Sequence, residues 1–377
     1  MSLRLLLSCG EASGDLYAGA LTRELRALSP DIEIAGLGGP EFARAGGRVI
    51  VDYRGLSVTG FTEIVAKVPQ LRAAKQRLLA DARQHRPDAL VVIDYFGFNG
   101  RLARDAHAMG IPVIHYISPQ VWAWRPGRIT LIRAVSRKML VIFPFEPPIY
   151  QEAGVPVEFV GHPLIDLARS QTPREALLSR LGFDPTAPVI GVLPGSRTSE
   201  LRRILPTLVE AAHQIRRSVP GAQFVVARAP HLDDRLYAPV RGLAAWAVVE
   251  GETDAVLAAS DIVLTASGTA TVQAALHDTP MVVVYRVSSL EYLVGRRFLN
   301  VDTFAMVNLI AGRQVVPELI QERFTAEAVA AEAVSMLTDN SRAARIRQGL
   351  AEVREKLGGP GGSRRAAEAI LRTIGDL

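Results

Sequence analysis

Cysteine is almost missing from this chain. Cys9 is the only one in 377 residues, so no intramolecular disulfide can form and an oxidising compartment offers the fold nothing. Long apolar runs are missing too, since no stretch approaches the ~20 consecutive apolar residues of a bilayer-spanning helix. The short apolar opening, residues 3–8, leads straight into a glycine turn, which predicts a first buried strand of a cytoplasmic protein rather than a signal peptide. Aromatic residues make up 6% and are scarce beside the basic stretches, which disfavours stacking on nucleic acid bases. Several signatures of catalysis are absent as well. There is no Asp-x-Asp, no His/Cys/Asp/Glu grouping at metal-ligand spacing, no G-x-S-x-G elbow and no G-x-x-x-x-G-K-[ST] loop. Serine-elbow hydrolases and P-loop nucleotidases are thereby excluded, and neither a metal nor another cofactor is expected.

What remains is a globular balance, 49% hydrophobic and 21% charged, in a chain long enough for two domains. Short, nearly all-apolar runs alternate with helical patterns at residues 3–8, 32–37, 89–94, 112–117 and 138–143. They resume at 188–193, 222–227, 245–249, 261–265 and 280–285. Such runs predict parallel strands covered on both faces, and therefore an α/β protein of two Rossmann-like lobes. Proline and glycine punctuate residues 159–184 and place the junction there. The expected division is an N-terminal lobe over 1–165, a second lobe over 166–340, and C-terminal helices over 341–377 that return to the first lobe or cross to a partner subunit.

Ligands of open parallel sheets bind beyond the carboxyl ends of the strands, so polar residues at those ends come first. Val192-Leu193-Pro194-Gly195-Ser196-Arg197 closes an apolar strand with a Gly/Ser turn and one permanent cation before a helix, the pattern of a phosphate or diphosphate cradle. Ala266-Ser267-Gly268-Thr269-Ala270-Thr271 repeats the theme. Each turn alone also fits an ordinary strand-to-helix connection; two of them in one lobe suggest a nucleotide. In the first lobe, Gly10-Glu11-Ala12-Ser13-Gly14-Asp15 lacks the spacing of a dinucleotide fingerprint. Glu11, Ser13 and Asp15 could meet sugar hydroxyls, or Asp15 could cap the next helix. Asp94, at the end of another strand, is the candidate general base, its pKa raised by burial, or else a structural carboxylate. A third run, residues 115–125, joins His115 to Trp122, Trp124 and Arg125, which suits a sugar or acyl ligand.

The formal net charge is +5, which favours acidic partners. Between Lys67 and Arg86 lie six lysines and arginines against the single acid Asp81, interleaved with apolar residues at helical spacings. Residues 61–86 are expected to form two helices divided at Pro69. Their basic, amphipathic surface fits either a membrane interface or a face packed on the sheet.

Taken in order, these motifs resemble the lipid-A-disaccharide synthase family of GT-B glycosyltransferases, nearly from end to end. The resemblance is carried by Gly10 to Asp15, Gly38-Gly39-Pro40, Asp94 to Asn99, Phe143-Pro144-Phe145-Glu146, Gly161-His162-Pro163, Leu193 to Arg197, Ala266 to Thr271 and Asn308 to Arg313, and above all by Ser118-Pro119-Gln120-Val121-Trp122-Ala123-Trp124-Arg125. It implies inverting transfer of a 2,3-diacylglucosamine unit from UDP to 2,3-diacylglucosamine 1-phosphate (lipid X) at the cytoplasmic face of the inner membrane, by a peripheral protein able to form a homodimer. It also implies Asp94 and Arg197 as catalytic residues. Gly195, Ser196, Arg197, Ser267, Gly268, Thr269, Gln273 and Asn308 would hold the donor, and Glu11, Ser13, Asp15, Asn99, His115, Trp122 and Trp124 the acceptor or sugar. Two positions depart from the pattern. Gln273 stands where the family usually has Glu, and Phe96 where a small residue is common. The alternatives are another UDP-sugar enzyme of this fold, a soluble glycosyltransferase or a UDP-sugar 2-epimerase, and a non-catalytic UDP-sugar-binding homologue.

Overall fold

A computed structural model describes residues 2–56, 61–122, 127–230, 232–287 and 303–375, with the backbone alone described over 61–66. It divides into two compact units. The first takes the chain up to Ile165 and again from Leu357 onward; the second lies between Asp166 and Lys356.

In the first unit the strands are β1 (Arg4–Cys9), β2 (Glu33–Gly38), β3 (Arg48–Asp52), β4 (Ala89–Ile93), β5 (Val113–Tyr116), β6 (Ser136–Val141) and β7 (Val157–Phe159). They form one parallel sheet in the order β3-β2-β1-β4-β5-β6-β7. The apolar runs make it so: β4 and β5 are buried at every position, because helices cover both faces. These are α1 (Ala12–Leu28), α2 (Pro40–Arg44), α3 (Phe61–His85), α4 (Phe96–Ala108), α5 (Arg128–Val135), α6 (Glu146–Glu152) and α7 (Leu164–Leu167). Leu78 and Ala82 of α3 and Leu102 and Ala106 of α4 pack on Leu90 and Val92.

The second unit repeats the plan with β8 (Val189–Leu193), β9 (Gln223–Arg228), β10 (Trp246–Glu250), β11 (Ile262–Ala266), β12 (Met281–Tyr285) and β13 (Glu318–Ile320), all parallel, in the order β10-β9-β8-β11-β12-β13. Its helices are α8 (Arg174–Leu181), α9 (Thr198–Ser218), α10 (Thr253–Ala259), α11 (Thr269–Leu276), α12 (Met306–Ala311), α13 (Ala326–Thr338) and α14 (Asn340–Lys356). The last helix, α15 (Gly362–Gly375), packs along α1 in the first unit.

Two differences from the sequence reading have physical causes. All ten apolar runs are strands, but β3, β7 and β13 are additional. Each lies at a sheet edge, paired on one side only, and none is the all-buried run that marks a central strand. Pro69 does not divide residues 61–85, which form the single helix α3 with the proline inside it. A proline removes one backbone hydrogen bond at a cost of about 3 kcal/mol. The burial of Ala74, Leu78, Leu79 and Ala82 further along the same helix offsets that cost.

The return of the chain to the first unit depends on Arg365. Its guanidinium donates to the carbonyls of Val160 (2.8 Å), Pro360 (2.6 Å) and Gly359 (2.8 Å). Gly161, at φ +79°, makes room for it, because a Cβ there would lie 2.5 Å from Nη2. Arg365→Ala is expected to lower the stability of the first unit by about 2 kcal/mol, read as the shift of its urea unfolding midpoint.

Candidate active site

In each sheet the strand order reverses beside the first strand of the unit, and the polar turns meet at that reversal. In the first unit the switch point lies between β1 and β4, whose ends are in register at Cys9 and Ile93. Gly10 to Asp15 follow one strand and Asp94 the other. In the second unit it lies between β8 and β11, in register at Leu193 and Thr265, so Gly195-Ser196-Arg197 and Ser267-Gly268-Thr269 emerge side by side. Parallel sheets open at such points for ligands.

Asp94 and Tyr95 are both left-handed, at φ +41° and +48°, which lifts the chain sharply out of β4 before α4 begins. The burial expected to raise the pKa of Asp94 is not found, because its side chain is exposed beyond the strand end. Asn99, 0% exposed, holds the turn. Its amide nitrogen faces the carbonyls of Asp94 (2.8 Å), Ile93 (3.2 Å) and Ser8 (3.2 Å), and its carbonyl accepts from Ser8 Oγ (2.6 Å). Asn99 therefore positions Asp94 and does not itself reach a sugar. The Tyr95 ring lies over Gly10, where a Cβ would be 2.0 Å from Cδ1. Phe96 lies along its own helix over Gly100 and under the Arg128 guanidinium, 5.1 Å from the ring centre, so its bulk is absorbed by a neighbouring glycine.

Asp15 is also structural. At 2% exposure it accepts the amides of Gly39 (2.7 Å), Glu41 (2.9 Å) and Phe42 (3.1 Å), which explains the Gly38-Gly39-Pro40 motif. A Cβ on Gly39 would lie 2.8 Å from its carboxylate. Glu11 is exposed at the head of α1 and Ser13 is half-buried, so of the three polar residues in this turn Glu11 is the most open to a ligand. His115 is buried, its pKa pushed down to about 4 by desolvation, and its Nε2 meets no partner among the described residues. It belongs to the interior of the sheet rather than to a sugar contact. Trp122 packs edge-on against Phe145, with ring centres 5.2 Å apart. Trp124 lies outside the described residues.

Glu146 went unassigned in the sequence although it closes the Phe-Pro-Phe-Glu run. Its carboxylate is buried and accepts the amides of Phe143 (3.0 Å) and Ile142 (3.3 Å) at the end of β6. Burial outweighs these bonds and pushes its pKa up to about 7.

In the second unit Glu200 is likewise an unread partner. Its Oε2 accepts the amides of Ser196 (2.9 Å) and Arg197 (3.2 Å), and Oε1 lies 3.4 Å from the Arg197 guanidinium. Gly195, at φ +119°, is required because a Cβ would lie 2.3 Å from Oε2. The turn is thus closed by an internal carboxylate, as the Glu three residues into a capped helix predicts, and what it presents to an anion is the Arg197 side chain. Gly268 opens α11 at φ +151°; Thr269 is exposed and Ser267 Oγ donates to the Phe304 carbonyl (2.7 Å). Gln273 Nε2 lies 3.4 Å from Asp254 Oδ1, which also meets His277 at 2.9 Å. Asn308, 2% exposed, spends its whole side chain on Val315, Val316 and Glu318. A direct grip on a donor, as expected of Asn308, is not available to it.

Among the described residues no group of three or more His, Cys, Asp or Glu side chains is placed to hold a metal ion, and no helix is long and apolar enough to cross a membrane.

Two parallel α/β units with paired polar turns at their switch points define a protein of GT-B type. Solved structures share that architecture along the whole chain. The calicheamicin glycosyltransferase CalG4 aligns with a TM-score of 0.63 at 16% identity, covering 100% of this chain and 99% of its own. The UDP-GlcNAc 2-epimerase from Neisseria meningitidis aligns at 0.68 and 12%, covering 99% and 100%. Sequence narrows the class. The chain belongs to the lipid-A-disaccharide synthetase family, whose sequence model matches residues 5–373. It is 45% identical to the lipid-A-disaccharide synthase of Koribacter versatilis and 42% identical to that of Geobacter sulfurreducens, in each case over 99% of this chain and 98% of the relative.

Asn99→Ala is expected to cost about 2–3 kcal/mol of stability by stranding the Ser8 hydroxyl and the β4-end carbonyls, measured by urea unfolding. Glu146 gives a pH signature. Its folded pKa of about 7 lies above the unfolded value of ~4.3, so the folded state binds the extra proton between them. Wild-type stability from this group is therefore present at pH 4 and lost as pH rises to 7, by about 3 kcal/mol. Glu146→Gln cannot lose that proton, so the stability of the variant relative to wild type should rise by about that amount over the same window. A constant difference between the two proteins would show that Glu146 does not titrate there.

Proposed function

We propose that the chain transfers a 2,3-diacylglucosaminyl unit from its UDP ester to the 6-hydroxyl of 2,3-diacylglucosamine 1-phosphate, releasing UDP and forming a β-1,6-linked disaccharide 1-phosphate. Membership of the lipid-A-disaccharide synthetase family carries the reading, and the observation that supports it in this molecule is the pairing of an exposed carboxylate, Asp94, with the switch point of one sheet and a guanidinium, Arg197, with that of the other. Asp94 takes the proton of the acceptor hydroxyl as its oxygen bonds to the anomeric carbon. The bond from that carbon to the UDP oxygen breaks on the opposite face, which inverts the centre. Negative charge then develops on the leaving diphosphate, where Arg197, with the amide end of α11 and Thr269, stabilises it.

Both substrates are amphiphiles, and the exposed cations towards the end of α3, Arg77 and Arg83, rather than its apolar residues, which pack on the sheet, are where the protein meets the cytoplasmic leaflet of the inner membrane as a peripheral enzyme. Homodimer formation belongs to the same proposal.

The test is turnover. Purified protein with UDP-2,3-diacylglucosamine and 2,3-diacylglucosamine 1-phosphate should yield the disaccharide and UDP in equal amounts. Asp94→Ala should lower kcat by about 10²–10⁴-fold. Arg197→Ala should cost about 10²–10³-fold, with Arg197→Lys recovering only part because the forked donor is lost. Conversion of unacylated UDP-GlcNAc alone, with no disaccharide formed, would overturn the assignment in favour of epimerase chemistry.

A further inference from the structure

Between α3 and α4 of the first unit runs a groove of 340 Å³ that no step above uses. Its apolar floor is made by Val68, Leu71 and Phe98, and three cations, Arg72, Lys75 and Arg101, line it. Lys75 is paired with Asp105 at 2.6 Å. Arg72 and Arg101 are exposed and meet no carboxylate among the described residues. Two guanidiniums without a counter-charge beside an apolar strip call for an amphiphile with an anionic head, and a phosphomonoester, carrying about two negative charges at neutral pH, balances them.

The position of the groove narrows the ligand. Gly97 and Phe98, which line it, follow the Asp94 turn directly, and Arg101 stands one helical turn beyond Gly97, about 6 Å along α4. We propose that this groove binds the 1-phosphate of the acceptor sugar, with Arg72 and Arg101 as its specificity-determining residues. The inference rests on the acceptor assigned in the preceding subsection. In a pyranose C1 and C5 flank the ring oxygen, so the 6-hydroxyl and the anomeric phosphate leave the same edge of the ring a few ångström apart, and the base and the phosphate site must lie correspondingly close on one face. The Asp94 turn and the first turns of α4 supply that separation. The phosphate then holds the ring so that the 6-hydroxyl faces Asp94, and the apolar floor takes the first part of an acyl chain.

The experiment compares wild type with Arg72→Ala/Arg101→Ala in neutral-detergent micelles, using acceptors with and without the 1-phosphate. Both arginines are exposed, and an unchanged urea midpoint checks that the fold is kept. The expected result is a rise of about tenfold or more in KM for the phosphorylated acceptor, little change in kcat or in donor KM, and no difference between the two proteins on the dephosphorylated acceptor. Arg101→Lys should retain part of the affinity. Equal losses on both acceptors, or no loss, overturn the proposal. So does a loss confined to co-sedimentation with phosphatidylglycerol vesicles, which would assign the cations to membrane headgroups. Direct titration of the phosphorylated amphiphile into both proteins is read in parallel. If wild type turns over neither acceptor, the proposed reaction fails, while weaker binding of this amphiphile to the double variant still upholds the groove and equal binding refutes it.

Discussion

The first unit depends on one buried amide. Asn99 ties the end of β1 to the end of β4 through Ser8 and the carbonyls of Ile93 and Asp94, at the place where the sheet reverses its order. Two consecutive non-glycine residues in the left-handed region cost of order 1–3 kcal/mol each and persist only where their surroundings over-determine them. Here Asn99 fixes the backbone from below, and the Tyr95 ring, seated on Gly10, fixes it from the side. The strain exposes one carboxylate at the mouth of the sheet. Neither the exposure of Asp94 nor its direction comes from Asp94 itself.

The same division of labour recurs at the switch points and at other strand ends. Asp15 holds the amides before and within α2, Glu146 those at the end of β6, Glu200 those of the Gly-Ser-Arg turn, and Asn308 the approach to β13. Loops at strand ends leave backbone N–H groups without ladder partners, and leaving such a group buried and unpaired costs about 1–3 kcal/mol. Carboxylate and amide oxygens, each able to accept more than one N–H, meet that need. The chemistry proposed above falls to exposed neighbours of this set: Glu11, Asp94 and Thr269, with the half-exposed Arg197.

This explains how far the sequence could be read. Central strands were legible because burial on both faces demands uninterrupted apolar residues, whereas the edge strands β3, β7 and β13 were not because pairing on one side relaxes that demand; the edge strand β10 was legible because it keeps an apolar run all the same. Motif positions were legible as a set, but polar residue type alone does not separate a side chain that touches a ligand from one that holds the loop beside it. Asp15, Asn99 and Asn308 read as ligand contacts and prove to be buried supports. Glu146 and Glu200 carried a local signal, an acid three residues into a run that opens a helix, and it is that spacing which marks a carboxylate turned back on its own backbone. Pro69 misled for a related reason, since a local rule about one hydrogen bond was outweighed by the packing of a whole helix.

Gln273 shows how a departure from a family pattern becomes intelligible once its neighbours are known. Its amide lies 3.4 Å from Asp254, and that carboxylate also meets His277. A glutamate at 273 would set two carboxylates against each other in a half-buried corner, where like charges raise the cost of ionising either. The amide removes the repulsion and donates to Asp254 instead, and the group it keeps for a hydroxyl is a carbonyl oxygen, a neutral acceptor about half as strong as a charged one. Any weaker hold on a hydroxyl is thus coupled to a gain in local electrostatics, so the residues at 254 and 273 have to be read together.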